Sequence, residues 1–236
     1  MKKTLSLLCF MLLIAMTLSA SAQSLTEVIL SASTTQAFKD DSVAEDDLNI
    51  ILQAGLSAVS AINQQPWHFA VLTNPEIMKE ISASPMGGMS GAPMSKAPEG
   101  MPPAPPAGAE GAGFPADMPK MPASTGAKAS LGDSPAAIII YMNENTPSPD
   151  PSFDCGLAAQ NMMIAANALG YGTKIVSAPT MSLNGENHDE ICAKLGVDPA
   201  YKAVAVLLLG YTDPSVDGAT GASVRSAFED KVSFTN

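Results

Sequence analysis

One long stretch of this sequence cannot contribute to a folded core. From Ser84 to Ser130 the chain is rich in proline, glycine, alanine and methionine, contains one aromatic residue and has no hydrophobic period. Such a composition buries too little apolar area to offset the entropy that is lost on ordering. We therefore predict a disordered or polyproline-like insertion over residues 84–130, and a fold built from the sequence on either side of it.

The amino terminus has the features of an export signal. Two lysines precede an apolar run from Leu5 to about Leu18, and the sequence ASA at 20–22 has the small-x-small pattern of a signal-peptidase site. We predict a cleaved Sec signal peptide over residues 1–22 and a periplasmic or secreted mature protein. The apolar run is short for a membrane span, and no later segment approaches the roughly 20 apolar residues that spanning requires.

Charge and soft ligands limit the classes of partner. The chain has 12 basic and 23 acidic residues, a formal net charge of −11, and no cluster of Lys or Arg, so we expect no nucleic-acid binding. The methionines of the insertion could bind Cu(I), but no His or Cys accompanies them, and we predict no metal site. An oxidising compartment permits a disulfide between Cys155 and Cys192, and the sequence leaves open whether they pair or stay separate buried thiols.

Before the insertion, the pattern predicts a helix, a strand and a short helix. Ser42 and Glu45 have capping-box spacing, and the apolar residues from Leu48 to Leu56 then fall on one helical face. The apolar segment His68 to Leu72 is typical of a strand. Pro75 begins a short helix that we expect to end near Ile81.

After the insertion, strands and helices alternate. Ala136 to Met142 is a short, continuous apolar run and is predicted to be a buried strand, and Thr173 to Val176 and Ala203 to Leu209 supply two more. Helices are predicted from Asp154 to Leu169, where Gly170 follows, and around His188 to Leu195. These elements and those before the break amount to roughly 170 residues, the size of one domain, residues 23–236, with one interruption.

The helix predicted from Asp154 to Leu169 has almost no polar face. A helix that is apolar all round must be covered on every side. We predict that a second subunit covers one side of it, which makes the protein a homodimer with Ala158 and Met162 in the interface.

The segment that joins the first helix to the first long strand is unusually polar. Ser60, Asn63, Gln64 and Gln65 lie within AVSAINQQPWHF, where hydroxyl, amide and backbone groups can converge on a polar ligand. The same amides could instead cap the helix and satisfy the turn. Local pattern alone leaves both interpretations open.

SAINQQPWHF resembles the flavin-binding signature of the nitroreductase family, in which a Ser-x-x-Asn-x-Gln-Pro-Trp segment follows such a helix. ILSASTTQAFKDDSVAEDDLNIIL, DCGLAAQNMMIAANALGYGTKIV and AVAVLLLGYTD are similar to other segments of that family. The resemblance implies an α+β fold, an α/β sandwich with a central mixed sheet flanked by helices, which dimerises through long central helices and binds FMN between subunits. It also implies hydride transfer from NAD(P)H or another reductant through FMN to nitroaromatic, quinone or similar small-molecule acceptors.

The resemblance also implies a set of cofactor-binding residues. Ser60, Asn63 and Gln65 match the signature, Thr34 stands where the family has a serine near the flavin phosphate, and Arg225 matches a phosphate-binding arginine near the carboxyl end. Ser177 and Ala178 occupy the loop that is expected beside the isoalloxazine ring. The resemblance assigns no separate catalytic residue, since flavin carries the chemistry.

One part of the family pattern is missing. The family usually reads Arg-Arg-Ser-x-Arg where this chain has Ala32, Ser33, Thr34, Thr35 and Gln36. Gln36 can still donate a hydrogen bond to a flavin ring carbonyl, but without charge. Lys174 could partly compensate for the lost charge, although a strand lysine is more often a solvated or snorkelling side chain. The alternative hypothesis is therefore a non-catalytic or altered-ligand relative that has lost tight flavin binding.

Overall fold

The computed structural model describes residues 24–83, 130–216, 219–221 and 225–235. The predicted signal peptide and all but the last residue of the predicted insertion lie outside these ranges. The chain divides into two compact units, Met1–Ala32 and Ser33–Asn236. The described part of the first unit is the helix α1 (Leu25–Ser31), which begins at a capping box formed by Ser24 and Glu27.

The second unit contains a mixed sheet. Its strand order is β2-β3-β5-β4-β1-β6, and every neighbouring pair is antiparallel except β1 and β4, which run parallel. The central mixed sheet that the family resemblance implies is therefore confirmed. The strands are β1 (Thr34–Thr35), β2 (Trp67–Leu72), β3 (Ala136–Asn143), β4 (Gly172–Val176), β5 (Tyr201–Gly210) and β6 (Thr220–Gly221).

Helices cover both faces of the sheet. Along β3 the side chains alternate, so Ile139 and Tyr141 join the core on one face and Ile138 and Ile140 the core on the other. Helices α3, α5 and α6 pack on the first face, and α2 and α4 on the second. The helices of this unit are α2 (Glu45–Leu56), α3 (Pro75–Ala83), α4 (Pro151–Ala168), α5 (Thr180–Leu183), α6 (His188–Leu195) and α7 (Phe228–Lys231), with 3₁₀ turns at Ala61–Asn63 and Leu131–Asp133.

The start of α2 corrects the predicted capping box. The N-cap is Ala44, two residues after Ser42, and no side chain of the helix caps it. Tyr171 supplies the missing group from another element, since its hydroxyl accepts from the N–H of Ala44 at 3.4 Å and donates to Asp47 Oδ2 at 2.7 Å. A tertiary contact therefore takes the place of the local cap.

Helix α4 begins earlier than predicted. Asp150 is its N-cap and Pro151 its first residue, three positions before Asp154. Ser152 Oγ and the N–H of Phe153 donate to the Asp150 carboxylate and hold its pKa below the ordinary value. The helix stops before Gly170, whose φ of 88° lies in the left-handed region.

The interface residues predicted on α4 were wrong. Ala158 and Met162 are fully buried within the single chain, because they pack in the core beneath α2. The large apolar side chains that these helices leave exposed are others, with Phe153 63% exposed on α4 and Ile50 and Leu56 52% and 55% exposed on α2. Any subunit contact along these helices therefore uses a different face from the one predicted.

The two cysteines do not form a disulfide. Both are free and buried, and they belong to the cores on opposite faces of the sheet, Cys155 with α4 and Cys192 with α6. Burial raises the pKa of the Cys155 thiol to about 12, so this thiol is protonated at neutral pH.

The structure also shows where the predicted insertion attaches. Ser130, the last residue of the predicted insertion, is the cap of the Leu131–Asp133 turn. Ser130 Oγ donates to Ser82 Oγ at 3.0 Å, so the chain leaves and returns at one point at the end of α3. Within the described ranges, none of the helices combines the length and the apolar character that crossing a bilayer demands.

Candidate functional site

The loop from Ser60 to Gln65 has a strained backbone. Ile62, Asn63 and Gln65 have φ values of 46°, 58° and 47°, in the left-handed region that residues other than glycine rarely adopt. Asn tolerates this region, but the β-branched Ile62 does so at a cost, and its side chain is 74% exposed. Strained residues of this kind persist only where the surrounding structure holds them in place, and they cluster at binding sites.

Hydrogen bonds within the loop fix its three predicted ligand-binding residues together. Ser60 Oγ accepts from the N–H of Gln65 at 2.9 Å, and Gln65 Nε2 donates to Asn63 Oδ1 at 3.1 Å. Asn63 and Gln65 are exposed, and Ser60 is half-buried. The structure thus brings these residues to one polar surface immediately before β2.

A buried acid holds this loop from below. Asp154, 2% exposed in the first turn of α4, accepts from the N–H of Ala61 at 3.0 Å through Oδ1 and from Ser148 Oγ at 2.7 Å through Oδ2. No sequence pattern assigned Asp154 a role. The only sequence signal was an acid at the start of an otherwise apolar helix.

The remaining predicted residues lie along β1 and β4. Thr34 in β1 is paired with Thr173 in β4. Because the two strands are parallel, Gln36 just after β1 and the residues just after β4 continue toward the same edge of the sheet. Ser177 and Ala178 come directly after β4 and are exposed. We define the β1/β4 set as Thr34, Gln36, Ser177, Ala178 and Arg225, and the loop set as Ser60, Asn63 and Gln65.

Arg225 is included in the β1/β4 set because few residues separate it from β6, which is paired with β1. Gly221 in β6 is paired with Thr34, and Arg225 follows it by four residues, which span at most about 14 Å. Its side chain is exposed. This arginine is therefore within reach of the end of β1.

One chain does not bring the two sets together. The loop set precedes β2, and three strands, β3, β5 and β4, separate β2 from β1. The three strand spacings from β2 to β4 amount to about 14 Å across the sheet, and the four from β2 to β1 to about 19 Å. A site that uses both sets with short contacts therefore needs the loop set of one chain and the β1/β4 set of another.

A cavity of about 320 Å³ adjoins Ala178. Its walls come from the end of α3, the Leu131–Asp133 turn and the start of α5. Half of the lining residues are apolar, and the four polar ones are Ser82, Ser130, Asp133 and Ser182. This mixture is typical of small-molecule sites.

The sequence profile of the Nitroreductase family matches residues 29–211. The chain belongs to the nitroreductase family. The match includes the loop set and all of the β1/β4 set except Arg225.

Curated nitroreductase-like proteins are similar to this chain over part of its length. A candidate NADH dehydrogenase/NAD(P)H nitroreductase of Methanothermobacter thermautotrophicus is 26% identical over 150 residues, covering 62% of this chain and 56% of that protein. A protein of the same name from Archaeoglobus fulgidus is 40% identical over 45 residues, covering 19% of this chain and 26% of that protein. The chain thus spans little more than half of the first relative and about a quarter of the second.

Solved nitroreductases share the fold. A nitroreductase from Desulfitobacterium hafniense crystallised with bound FMN matches with a TM-score of 0.64 and 20% identity, covering 90% of this chain and 98% of that one. Another from Bacteroides fragilis, also with bound FMN, has a TM-score of 0.63 and 17% identity, covering 91% and 100%. At these identities the similarity establishes the α+β fold.

Proposed function

We propose that this chain is an exported FMN-dependent oxidoreductase that acts as a homodimer. It passes hydride or electrons from NAD(P)H or another reductant to a nitroaromatic, quinone or similar small-molecule acceptor. The observation that carries the proposal is the strained loop Ser60–Gln65, whose left-handed residues and internal hydrogen bonds present Asn63 and Gln65 to solvent. Membership of the nitroreductase family supports flavin as the ligand.

The residues bind and orient the cofactor in this proposal. FMN, when bound, supplies the hydride and electron chemistry. Asn63 and Gln65 offer amide groups to the ring system, and Asp154 holds the loop through the N–H of Ala61. Arg225 pairs with the phosphate, and Thr34 donates its hydroxyl to the same group.

Two subunits form each site in this proposal. Within one chain, β3 and β5 lie between β2, which follows the loop set, and the neighbouring strands β4 and β1 of the other set, so each site takes one set from each subunit. The exposed apolar side chains of α2 and α4, Ile50, Leu56 and Phe153, support a subunit contact along these helices. The acceptor would enter the cavity beside Ala178, whose walls combine apolar and polar side chains.

The first test measures affinity for FMN and for riboflavin, which lacks the phosphate. Arg225→Ala removes a charge-assisted contact of the kind that contributes about 1.5–3 kcal/mol, so FMN binding should weaken by about tenfold to a hundredfold while riboflavin binding is unchanged. Asn63→Gly removes an amide but keeps the left-handed backbone accessible, and should weaken both ligands by a few-fold. Equal affinity of wild type and Arg225→Ala for FMN would remove Arg225 from the phosphate site.

A second test asks whether the site is shared. Asn63→Gly and Arg225→Ala chains are co-expressed with different affinity tags, and the mixed dimer is purified through both. In the proposed arrangement both substitutions fall in one of its sites, which leaves the other intact with wild-type FMN affinity. A mixed dimer in which neither site keeps wild-type affinity, one being weakened a few-fold and the other by about tenfold to a hundredfold, would place both residues in the same subunit's site.

The missing arginines favour a second candidate function. With Ala32 and Gln36 in place of basic residues, the chain could be a family relative that has lost tight flavin binding and acts on another ligand or on none. A colourless purified protein that binds neither FMN, FAD nor riboflavin in titrations would establish this alternative over the first.

A further inference from the structure

We infer that Lys174 is a positioning residue that orients Gln36 as a hydrogen-bond donor to a flavin ring carbonyl, so that the two side chains together replace an arginine. This inference rests on the proposed function, because it concerns the same cofactor. It assigns a role to a buried strand lysine that the family resemblance does not provide.

The orientation of Gln36 follows from the chemistry of its partner. Lys174 lies in β4, is 8% exposed, and its Nζ is 2.8 Å from Gln36 Oε1. An ammonium group carries donors only, so the amide oxygen of Gln36 must face it. The amide nitrogen, with its two N–H donors, therefore points away from Lys174.

That nitrogen is available to a ligand. No acceptor for Gln36 Nε2 is found among residues 24–83, 130–216, 219–221 and 225–235, and the side chain is half-buried. The backbone of Gln36 is held separately, because its N–H donates to the carbonyl of Ala219 at 2.6 Å. The donor group is thus fixed at both its backbone and its oxygen end.

The ammonium also changes the strength of this donor. A positive charge against the amide oxygen polarises the group and makes its N–H a better donor than that of a neutral glutamine alone. Lys174 also supplies local positive charge in a chain whose formal net charge is −11. Gln36 and Lys174 together offer the donor and the cation that an arginine would combine in one side chain.

The test is a double-mutant cycle on FMN binding with a spectroscopic readout. Lys174→Met, Gln36→Leu and the double variant are titrated with FMN, and the flavin carbonyl stretching band is recorded by infrared difference spectroscopy. Each single change should weaken FMN binding by about twofold to tenfold and shift the carbonyl band to higher frequency. The double variant should bind no more weakly than Gln36→Leu, because Lys174 acts through Gln36.

Controls separate positioning from general charge and from folding. Lys39→Met removes the same charge from an exposed lysine near the end of β1 and should leave FMN affinity and the carbonyl band unchanged. Lys174→Arg keeps a donor toward Gln36 and should restore most of the loss. If Lys174→Met does not fold, Gln36→Glu takes its place, since it keeps an acceptor for Lys174 but has no donor, and it should lose as much affinity as Gln36→Leu.

Several results would overturn the inference. Additive losses in the double variant, an unshifted carbonyl band in Lys174→Met, or wild-type affinity in Gln36→Glu would each do so. These results occur in a protein that binds FMN, so they leave the proposed function intact. Failure of the wild type to bind FMN, FAD or riboflavin would instead overturn both proposals.

Discussion

Two buried tyrosine hydroxyls differ in what surrounds them. Tyr141 is fully buried in the middle of β3, and its hydroxyl has no hydrogen-bond partner within the described part of the chain. Tyr171 is also buried, but its hydroxyl contacts Asp47, the N–H of Ala44 and the hydroxyl of Tyr211. Burial raises the pKa of both side chains above the ordinary value for tyrosine, so both are neutral at neutral pH.

We predict different effects on stability from removing these two hydroxyls. Tyr171→Phe loses a bond to a carboxylate and leaves the start of α2 uncapped, so the free energy of unfolding should fall by about 1.5–3 kcal/mol. Tyr141→Phe removes an unsatisfied group, so stability should be unchanged or rise by about 1 kcal/mol. Urea unfolding of both variants at one neutral pH measures the difference. A loss in Tyr141→Phe as large as that in Tyr171→Phe would mean that Tyr141 has a partner outside the described residues.

At the scale of residues, the sequence predicted a set of ligand-binding side chains in the loop but not how the loop is held. The signature pointed to Ser60, Asn63 and Gln65, and they do lie on one surface. Neither the strain at Ile62 nor the support from Asp154 could be foreseen. Both depend on contacts between segments far apart in the sequence, which a local pattern does not encode.

At the scale of elements, the short strand β1 depends on a glycine in its neighbour. A Cβ atom built on Gly172 would overlap Thr35 Oγ1 and Thr212 Oγ1, which are hydrogen-bonded to each other at 3.1 Å. β1 has only two residues, so it has little other pairing with which to resist displacement. This close packing helps to keep Thr34 and Gln36 beside β4.

Gly172→Ala should therefore loosen β1. We predict a fall in the free energy of unfolding of about 1–3 kcal/mol, as in other overpacked sites, together with weaker FMN binding. Gly132→Ala is the matched control, since a Cβ there meets nothing within 4 Å, and it should change neither quantity by much. Thermal melts and FMN titration measure the two effects. Unchanged stability in Gly172→Ala would show that β1 can shift without cost.

The longer elements were predictable and the shortest ones were not. The strands β3 and β5 and the helix α6 follow continuous apolar runs or clear helical spacing, and α6 has the predicted bounds. β1 and β6, with two residues each, have too few positions to show any period, and their pairing is set by the sheet. The cap of α2 was mispredicted because Tyr171 provides it from more than a hundred residues away.

At the scale of the whole molecule, the attachment of the segment 84–129 makes it separable from the fold. Its flanks meet through Ser82 and Ser130, so a short linker can join them without moving α3 or the Leu131–Asp133 turn. A shorter loop also loses less entropy on closing, by roughly 2 kcal/mol for a tenfold reduction in length.

Replacing residues 84–129 by a short Gly/Ser linker should therefore leave the protein folded. We expect unchanged circular dichroism, an equal or higher melting temperature and wild-type FMN affinity. As a control, a Gly/Ser segment as long as the natural segment 84–129 should reproduce the melting temperature of the wild type. Loss of FMN binding on deletion, with restored binding only for the natural sequence, would mean that this segment contributes to the site.

The molecule as a whole was predicted more fully than its parts. The mixed sheet, the helices on both of its faces and the family followed from the sequence. The interface on α4 did not, because an apolar helix does not reveal which of its sides meets its own core. Ala158 and Met162 are fully buried in the single chain, whereas Phe153 is 63% exposed.

The distance between the loop set and the β1/β4 set has a consequence for how the protein responds to its own concentration. In the proposed two-subunit arrangement, a single chain contributes half of each of two sites and contains no complete site. FMN binding and dimerisation are then linked by mass action. FMN stabilises the dimer, and dilution separates the two chains and releases FMN. A chain that folds alone would be colourless, and colour would appear only when it meets a second copy.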